Sequence, residues 1–133
     1  MTEAGVVPEG LYYTKDHEWV RIEGDLAVVG ITDHAQKALG DITYVELPRP
    51  VKAVKQFAEL AAVESAKAAS DIFAPLSGVV AEANAALNDA PEKINADPYG
   101  EGWICKLKGI SLAEAKSLLS PADYRKLLEQ EPA

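Results

Sequence analysis

The feature that most constrains the fold is a succession of short apolar stretches, each ended by residues that favour turns. Residues 18–23 alternate in polarity, Gly24-Asp25 can turn, and residues 26–31 form a more continuously apolar run, which is typical of a β-hairpin. Residues 41–47 are rich in β-branched and aromatic side chains. Further strands are predicted at residues 56–63, 70–74, 78–83 and 102–108. This many short strands at close spacing predict a mainly β fold, either a compact barrel or a sandwich.

Helix signals occur once inside the chain and again at its C-terminal end. Thr32 can cap a short helix over residues 33–39, and Gly40 can end that helix in a left-handed conformation. Ser111 and Ser120 are each followed three residues later by an acid, as in a capping box, so two short helices are predicted within residues 111–130. Leucine pairs at 118–119 and 127–128 are expected to dock these helices on the β core.

Length and composition bound the number of domains and the kinds of partner. The chain has 133 residues, 48% of them hydrophobic, so we expect one domain over residues 1–133, with a loose start over about residues 1–10. Acids outnumber bases 21 to 13, and a net charge of −8 argues against a nucleic-acid partner. The start lacks the features of a signal or transit peptide, and no apolar run is long enough to span a bilayer. No membrane partner is therefore expected.

One lysine stands apart from its surroundings. Lys67 is the only basic residue between Lys55 and Lys93, whereas that interval contains six acids, among them Glu64 and Asp71. Small residues flank it, and predicted strands on both sides would hold it on a hairpin tip, where a modifying enzyme could reach its amine. Composition alone favours an ordinary solvated lysine, so a tether and a plain surface residue both remain possible.

Other side chains that could carry chemistry lack the neighbours that such chemistry needs. His17 and His34 are isolated, with no second His or Cys at metal-ligand spacing, so no metal site is expected. Cys105 lies in an apolar run, which indicates a small buried hydrophobe and not a nucleophile. Ser77 is not in the nucleophile elbow of a hydrolase, and there is no glycine-rich phosphate loop. No catalytic residue is predicted.

The stretch around the lysine resembles the lipoyl-attachment region of the glycine cleavage system H protein family. The resemblance rests on Glu64-Ser65-Ala66-Lys67-Ala68, then Ser70-Asp71, then Ala74-Pro75-Leu76-Ser77-Gly78. Further segments agree in order, namely His17-Glu18-Trp19-Val20, Gly30-Ile31-Thr32-Asp33-His34-Ala35-Gln36, Leu39-Gly40-Asp41, Val45-Glu46-Leu47-Pro48, Asn95-Ala96-Asp97-Pro98-Tyr99-Gly100 and Gly102-Trp103. The match extends from about Leu11 to the terminal helices.

The resemblance implies a lipoyl-domain-like half-barrel sandwich of two small sheets, with lipoate in amide linkage to Lys67. In that family the carrier is not an enzyme. It shuttles an aminomethyl intermediate between a pyridoxal-phosphate glycine decarboxylase, a tetrahydrofolate-dependent aminomethyltransferase and a dihydrolipoamide dehydrogenase. A lipoate-attaching enzyme is a further expected partner. We expect a monomer in the bacterial cytoplasm, or in the mitochondrial matrix if this is a mature eukaryotic form.

The resemblance also assigns residues that receive or recognise the arm. Glu18 and Asp71 match family positions that line the cleft for the loaded arm, where a carboxylate would favour a protonated amine, and Glu64 is placed with them. For each of these acids a solvated surface position is the alternative. Asp16 would add a third acid near the cleft.

Two departures from the family pattern leave alternatives open. Ala66 stands where the family more often has Val, and residues 48–56 lack the glycines usual in that connection. If partners read this loop, the chain could be an H-like relay that donates lipoyl groups to other proteins. An unmodified interaction module, with Lys67 a mere surface residue, is the second alternative.

Overall fold

The computed structural model describes residues 6–130. The strands of the mainly β chain are β1 (Tyr12–Tyr13), β2 (Glu18–Glu23), β3 (Leu26–Ile31), β4 (Ile42–Glu46), β5 (Ala53–Val54), β6 (Glu59–Ser65), β7 (Ala69–Phe73), β8 (Gly78–Ala83) and β9 (Cys105–Lys108). The helices are α1 (Asp33–Leu39), α2 (Ala86–Asp89), α3 (Lys93–Ala96) and α4 (Pro121–Gln130), with a 3-10 helix at Leu112–Ser117.

Two antiparallel sheets enclose a shared core. One sheet has six strands in the order β1-β2-β3-β9-β8-β5, and the other has three in the order β4-β6-β7. Their apolar faces meet in one cluster, to which the larger sheet gives residues such as Val29 and Leu107, and the smaller sheet gives residues such as Val45 and Val63. The predicted mainly β architecture is confirmed.

The first hairpin and the helix that follows it form as the sequence predicts. Strands β2 and β3 pair over their full length, and Gly24 takes a φ of 66° in the two-residue turn. Thr32 caps α1, because its hydroxyl oxygen accepts a hydrogen bond from the Ala35 backbone N–H at 3.2 Å. Gly40 ends this helix with φ 82° and ψ −159°, so its φ is positive as predicted but its ψ lies outside the left-handed helical well.

The C-terminal segment departs from prediction at its first helix. Ser120 caps α4 by accepting a hydrogen bond from the Asp123 N–H at 3.1 Å, but Ser111 makes no side-chain cap. The capping box predicted there is wrong because the Glu114 carboxylate binds elsewhere, accepting from Ser77 N and Ser77 Oγ at 2.7 Å each. The segment accordingly forms a 3-10 helix and not an α-helix.

A second apolar cluster docks the C-terminal residues on the larger sheet. It contains Tyr13, Trp19 and Tyr124, and Leu119, Leu127 and Leu128 pack in it. Leu118 packs instead against the main core. The predicted docking by both leucine pairs is confirmed. No helix among residues 6–130 is long and apolar enough to cross a membrane.

The chain before β1 is tied to the rest of the molecule where it is described. The Val6 N–H donates to Asp33 Oδ2 at 3.0 Å, and the Tyr13 hydroxyl donates to the Pro8 carbonyl at 2.7 Å. Arg125 reaches the same segment through the Val7 carbonyl and the Glu9 carboxylate. The loose start was expected over about residues 1–10, of which residues 1–5 lie outside the described residues.

Backbone hydrogen bonds join the glycine-poor connection between β4 and β6 to β8. The Val51 N–H donates to the Val80 carbonyl at 2.8 Å, and the Val80 N–H donates to the Lys52 carbonyl at 2.9 Å. Val51 has a φ of 57° and is 76% exposed, and Phe57 has a φ of 68°. Two bulky residues thus adopt a left-handed backbone that glycine would adopt without strain.

Candidate functional site

Lys67 lies on the three-residue tip, residues 66–68, of the hairpin formed by β6 and β7, which we call the lysine hairpin. The tip is closed by a hydrogen bond from Ser65 N to the Ala68 carbonyl at 2.8 Å. Ser65 Oγ also accepts hydrogen bonds from the N–H groups of Lys67 and Ala68, at 3.3 and 3.1 Å. Lys67 and its neighbours Ala66 and Ala68 are exposed. The predicted hairpin tip is confirmed, and the amine is open to a second protein.

Acidic side chains share one face of the smaller sheet beside this tip. Glu64 lies opposite Ala69, and Asp71 lies opposite Ala62, two residues from Glu64, so both acids project from the outer face. Both are exposed. The structure therefore brings Glu64 and Asp71 together on the strands that carry Lys67.

Asp71 lines a groove of about 720 Å³ between this face and the glycine-poor loop. Glu46 and Glu59 add acids to the groove, whereas Arg49 and Lys52 of the loop add bases. A cationic group lying in the groove would meet three carboxylates near the sheet, and an anionic group would be drawn to the loop side.

Glu18 occupies a different environment from Asp71. It is 1% exposed, so it is not a solvated surface acid. Its Oε1 accepts a short hydrogen bond from the Thr14 hydroxyl, and its Oε2 accepts one from the Phe73 N–H of β7 at 3.0 Å. Burial raises the pKa of Glu18 to about 7, although these two hydrogen bonds oppose the rise. The carboxyl group thus joins the turn before β2 to the lysine hairpin.

Asp16 and Thr14 line a second pocket of about 400 Å³, together with Lys15, Phe57 and Leu119. Because the Thr14 hydroxyl also bonds Glu18, this pocket lies one side chain away from the buried carboxyl group. Of Glu18 and Asp71, which the resemblance assigned to one cleft, Asp71 lines the first of these two pockets and Glu18 lines neither. They are linked instead through β7, since Phe73 is two residues beyond Asp71.

The two histidines are not isolated in the folded chain. Their rings lie with centroids 4.6 Å apart, and His17 Nδ1 is 2.8 Å from the Tyr124 hydroxyl. The prediction of isolation is therefore wrong, because the turn before β2 and the start of α1 meet beside α4. No group of three or more His, Cys, Asp or Glu side chains suited to a metal ion occurs within residues 6–130.

Cys105 is fully buried in β9, as predicted. Burial raises the pKa of its thiol to about 12, so it remains protonated near neutral pH.

Sequence reasoning missed the partners that fix the site. Thr14 has no motif that marks it as a bonding partner of Glu18. Asn95 belongs to a matched segment, yet its contacts at Gly40 and Ile42, more than fifty residues away, cannot be read from the sequence.

Comparisons with known proteins agree with one another. The family model described as Glycine cleavage H-protein matches residues 11–131. The glycine cleavage system H protein of Rubrobacter xylanophilus is 50% identical over 125 residues, which cover 94% of this chain and 97% of that protein. The one from Acinetobacter baylyi is 54% identical over 117 residues, covering 88% and 94%. The crystal structure of a glycine cleavage system H protein from Mycobacterium marinum superposes with a TM-score of 0.81 at 38% identity, covering 90% of this chain and 97% of that one.

Proposed function

Because this chain belongs to the glycine cleavage H-protein family, we propose that it is the lipoyl carrier of a glycine cleavage system, with lipoate in amide linkage to Lys67. The observation that carries the proposal is an exposed lysine on a tight hairpin tip between two exposed alanines. The residues on either side of Lys67 are small, so the tip itself offers a lipoate-attaching enzyme little steric hindrance. When bound, the lipoyl group supplies the sulfur atoms that carry a one-carbon amine unit between enzymes.

The hairpin supports this role mechanically. Ser65 fixes the backbone of the tip through four hydrogen bonds, so the tether starts from a defined point. A fixed starting point keeps the arm's end at a high local concentration near a docked partner.

Acids within reach of the tip would hold the protonated end of a loaded arm. Asp71 lies in β7, two residues beyond Ala69, which directly follows the tip. We propose that Asp71 attracts the amine directly, since its carboxylate is exposed. Glu18 would act indirectly, because the Thr14 hydroxyl bonded to it lies between its carboxyl group and the second pocket. A cation in this pocket, which Thr14 and Asp16 line, would favour the ionised form of Glu18. Glu64 lies beside the tip and would take part in recognition of the arm.

The proposed partners are those of the family. They are a pyridoxal-phosphate glycine decarboxylase, a tetrahydrofolate-dependent aminomethyltransferase, a dihydrolipoamide dehydrogenase and a lipoate-attaching enzyme. The chain itself would catalyse none of their reactions. Rubrobacter and Acinetobacter are bacteria, so we place the cycle in the cytoplasm. The relay alternative has less support, because both of these relatives are glycine cleavage system H proteins.

Intact-mass measurement tests the attachment site. Protein from its native source is expected to carry the mass increment of one lipoyl group, and Lys67→Arg is expected to lack it. Lys55→Arg, which replaces another exposed lysine, serves as the control and should keep the increment. The carrier proposal fails if native protein is unmodified in a cell whose other lipoyl proteins are modified. Lipoylated protein that cannot support glycine decarboxylation by its own organism's decarboxylase would instead overturn the assignment to glycine cleavage.

A further inference from the structure

The side chain of Lys67 passes beside the turn that joins α1 to β4, on the side where Gly40 has no side chain. A methyl group built on Gly40 would lie 3.6 Å from Lys67 Cε, which is ordinary van der Waals contact. The tip itself offers the lysine only small neighbours. The turn at residues 40–41, which we call the Gly40 turn, therefore borders the space that the stem of the lysine occupies.

The side-chain amide of Asn95 in α3 holds the Gly40 turn from both sides. Its Nδ2 donates to the Gly40 carbonyl at 2.9 Å and to Gln36 Oε1 at 2.9 Å. Its Oδ1 accepts from the Ile42 N–H at 2.9 Å. These bonds use both donors and the acceptor of one amide, a combination that neither a carboxylate nor a hydroxyl can supply.

We propose that Asn95 is a positioning residue for the lysine arm. By fixing the Gly40 turn, it sets the direction in which Lys67 leaves the hairpin, and so limits the conformations from which the arm begins its search for a partner's site. The functional part of this inference rests on the proposed lipoyl attachment. The proximity of Lys67 Cε to Gly40 is a property of the unmodified chain and can be measured separately.

Asn95→Asp tests the proposal with almost no change of shape. The variant keeps an oxygen that can accept from Ile42 N, but it places a carboxylate oxygen against two acceptors, the Gly40 carbonyl and Gln36 Oε1. Asn84→Asp is a matched control, because the Asn84 amide likewise donates to two carbonyl oxygens, those of the Glu101 and Trp103 backbones, at 2.9 and 2.8 Å. Asn84 bonds no residue of the Gly40 turn. A general loss of stability would affect both variants.

NMR on unmodified protein with labelled lysine gives the primary result. Asn95→Asp is expected to abolish the nuclear Overhauser contact between Lys67 Hε and Gly40 Hα, and to lower the order parameter of Lys67 Cε to that of the exposed Lys126. Asn84→Asp is expected to leave both unchanged. The proposal is overturned if Lys67 is unaffected in Asn95→Asp, or equally affected in the two variants. Asn95→Ser, shorter and uncharged, replaces the aspartate variant if that protein does not fold.

A kinetic measurement on lipoylated protein tests the functional consequence. With the glycine decarboxylase, Asn95→Asp is expected to raise the KM for the carrier by about threefold with kcat within about twofold, because a less restricted arm weakens productive docking and not the reaction. An unchanged KM contradicts the positioning role. Failure of lipoyl attachment itself would appear in the intact mass, and would overturn the proposed function without altering the NMR result.

Discussion

Glu18 shows how a single residue can differ from its sequence context. It follows an acid and a histidine, and it is one of 21 acids in the chain, yet it is among the largest fully buried side chains. Its two carboxyl oxygens accept hydrogen bonds from the Thr14 hydroxyl and the Phe73 N–H. Thr14 precedes β2 of the larger sheet, and Phe73 belongs to β7 of the smaller sheet. Because burial raises its pKa to about 7, the group changes charge near neutral pH.

The raised pKa predicts a pH dependence of stability. An unfolded chain releases the Glu18 proton near pH 4.5, whereas the folded protein holds it to about pH 7, so the folded state binds more protons between these values. This contribution is fully present below about pH 4.5 and is lost as pH rises through 7. Glu18→Gln cannot titrate. Between pH 5 and 8 the wild type should lose roughly 2 kcal/mol more free energy of unfolding than Glu18→Gln does.

Urea unfolding at several pH values measures this difference. Glu23→Gln changes an exposed acid of the same strand and is expected to follow the wild type. If Glu18→Gln and the wild type show parallel pH profiles, the carboxyl group is not held protonated by the fold.

At the residue level the sequence located the exposed lysine but not the state of the acids. Lys67 lies on the hairpin tip as predicted, and Glu64 and Asp71 lie on the strands beside it. The burial of Glu18 could not be predicted, because its bond to Phe73 joins residues 55 positions apart and depends on how the two sheets meet.

Among the elements, the lysine hairpin depends on one serine. Ser65 is the last residue of β6, and its hydroxyl oxygen receives two N–H groups of the tip, those of Lys67 and Ala68. If that hydroxyl were removed, Ser65 would keep a single hydrogen bond to the tip, from its N–H to the Ala68 carbonyl. The Ser65 side chain thus supplies hydrogen bonds to the tip where the backbone pairing of β6 with β7 ends.

Ser65→Ala is expected to loosen the tip while leaving the strands paired. The amides of Lys67 and Ala68 should exchange with solvent about fivefold faster, since each loses a hydrogen bond worth about 1 kcal/mol. Hydrogen exchange followed by NMR measures the effect residue by residue. Ser70→Ala is the control, because the Ser70 hydroxyl donates only to the Asp71 carbonyl and contacts neither amide. Equal exchange in the two variants would mean that the backbone alone fixes the tip.

The length of a strand or helix decided whether it could be predicted from the sequence. The longer strands and α1 were predicted because alternation and capping need several residues to show. Strands β1 and β5 have two residues each, and α2 and α3 have four, so no period can appear in them. Their positions come from tertiary contacts, such as the pairing of β5 with β8.

On the scale of the whole molecule, the buried side chain of Tyr124 attaches α4 to the sheets. The Tyr124 ring stacks on Tyr13 with centroids 4.6 Å apart, and its hydroxyl lies 2.7 Å from Thr32 Oγ1 and 2.8 Å from His17 Nδ1. Three parts of the chain, widely separated in sequence, meet at this oxygen. The C-terminal helix is therefore expected to unfold with the sheets and not before them.

Tyr124→Phe should lower the free energy of unfolding by about 1–3 kcal/mol, because the ring remains but buried polar groups lose a partner. Tryptophan fluorescence and far-ultraviolet circular dichroism should report one shared thermal transition, shifted downward together. Tyr12→Phe changes an exposed tyrosine of β1 and is expected to stay within about 0.5 kcal/mol of the wild type. Separate transitions for the two probes would show that α4 melts as an independent unit.

The burial of Cys105 has a consequence for redox compatibility. A lipoyl arm alternates between a disulfide and a dithiol, and such groups exchange with any accessible thiolate. The chain has one cysteine, and its thiol is fully buried and protonated near neutral pH. A lipoylated carrier would therefore not form a mixed disulfide with its own arm, and a thiol-specific reagent applied to the folded, reduced protein would label the arm alone.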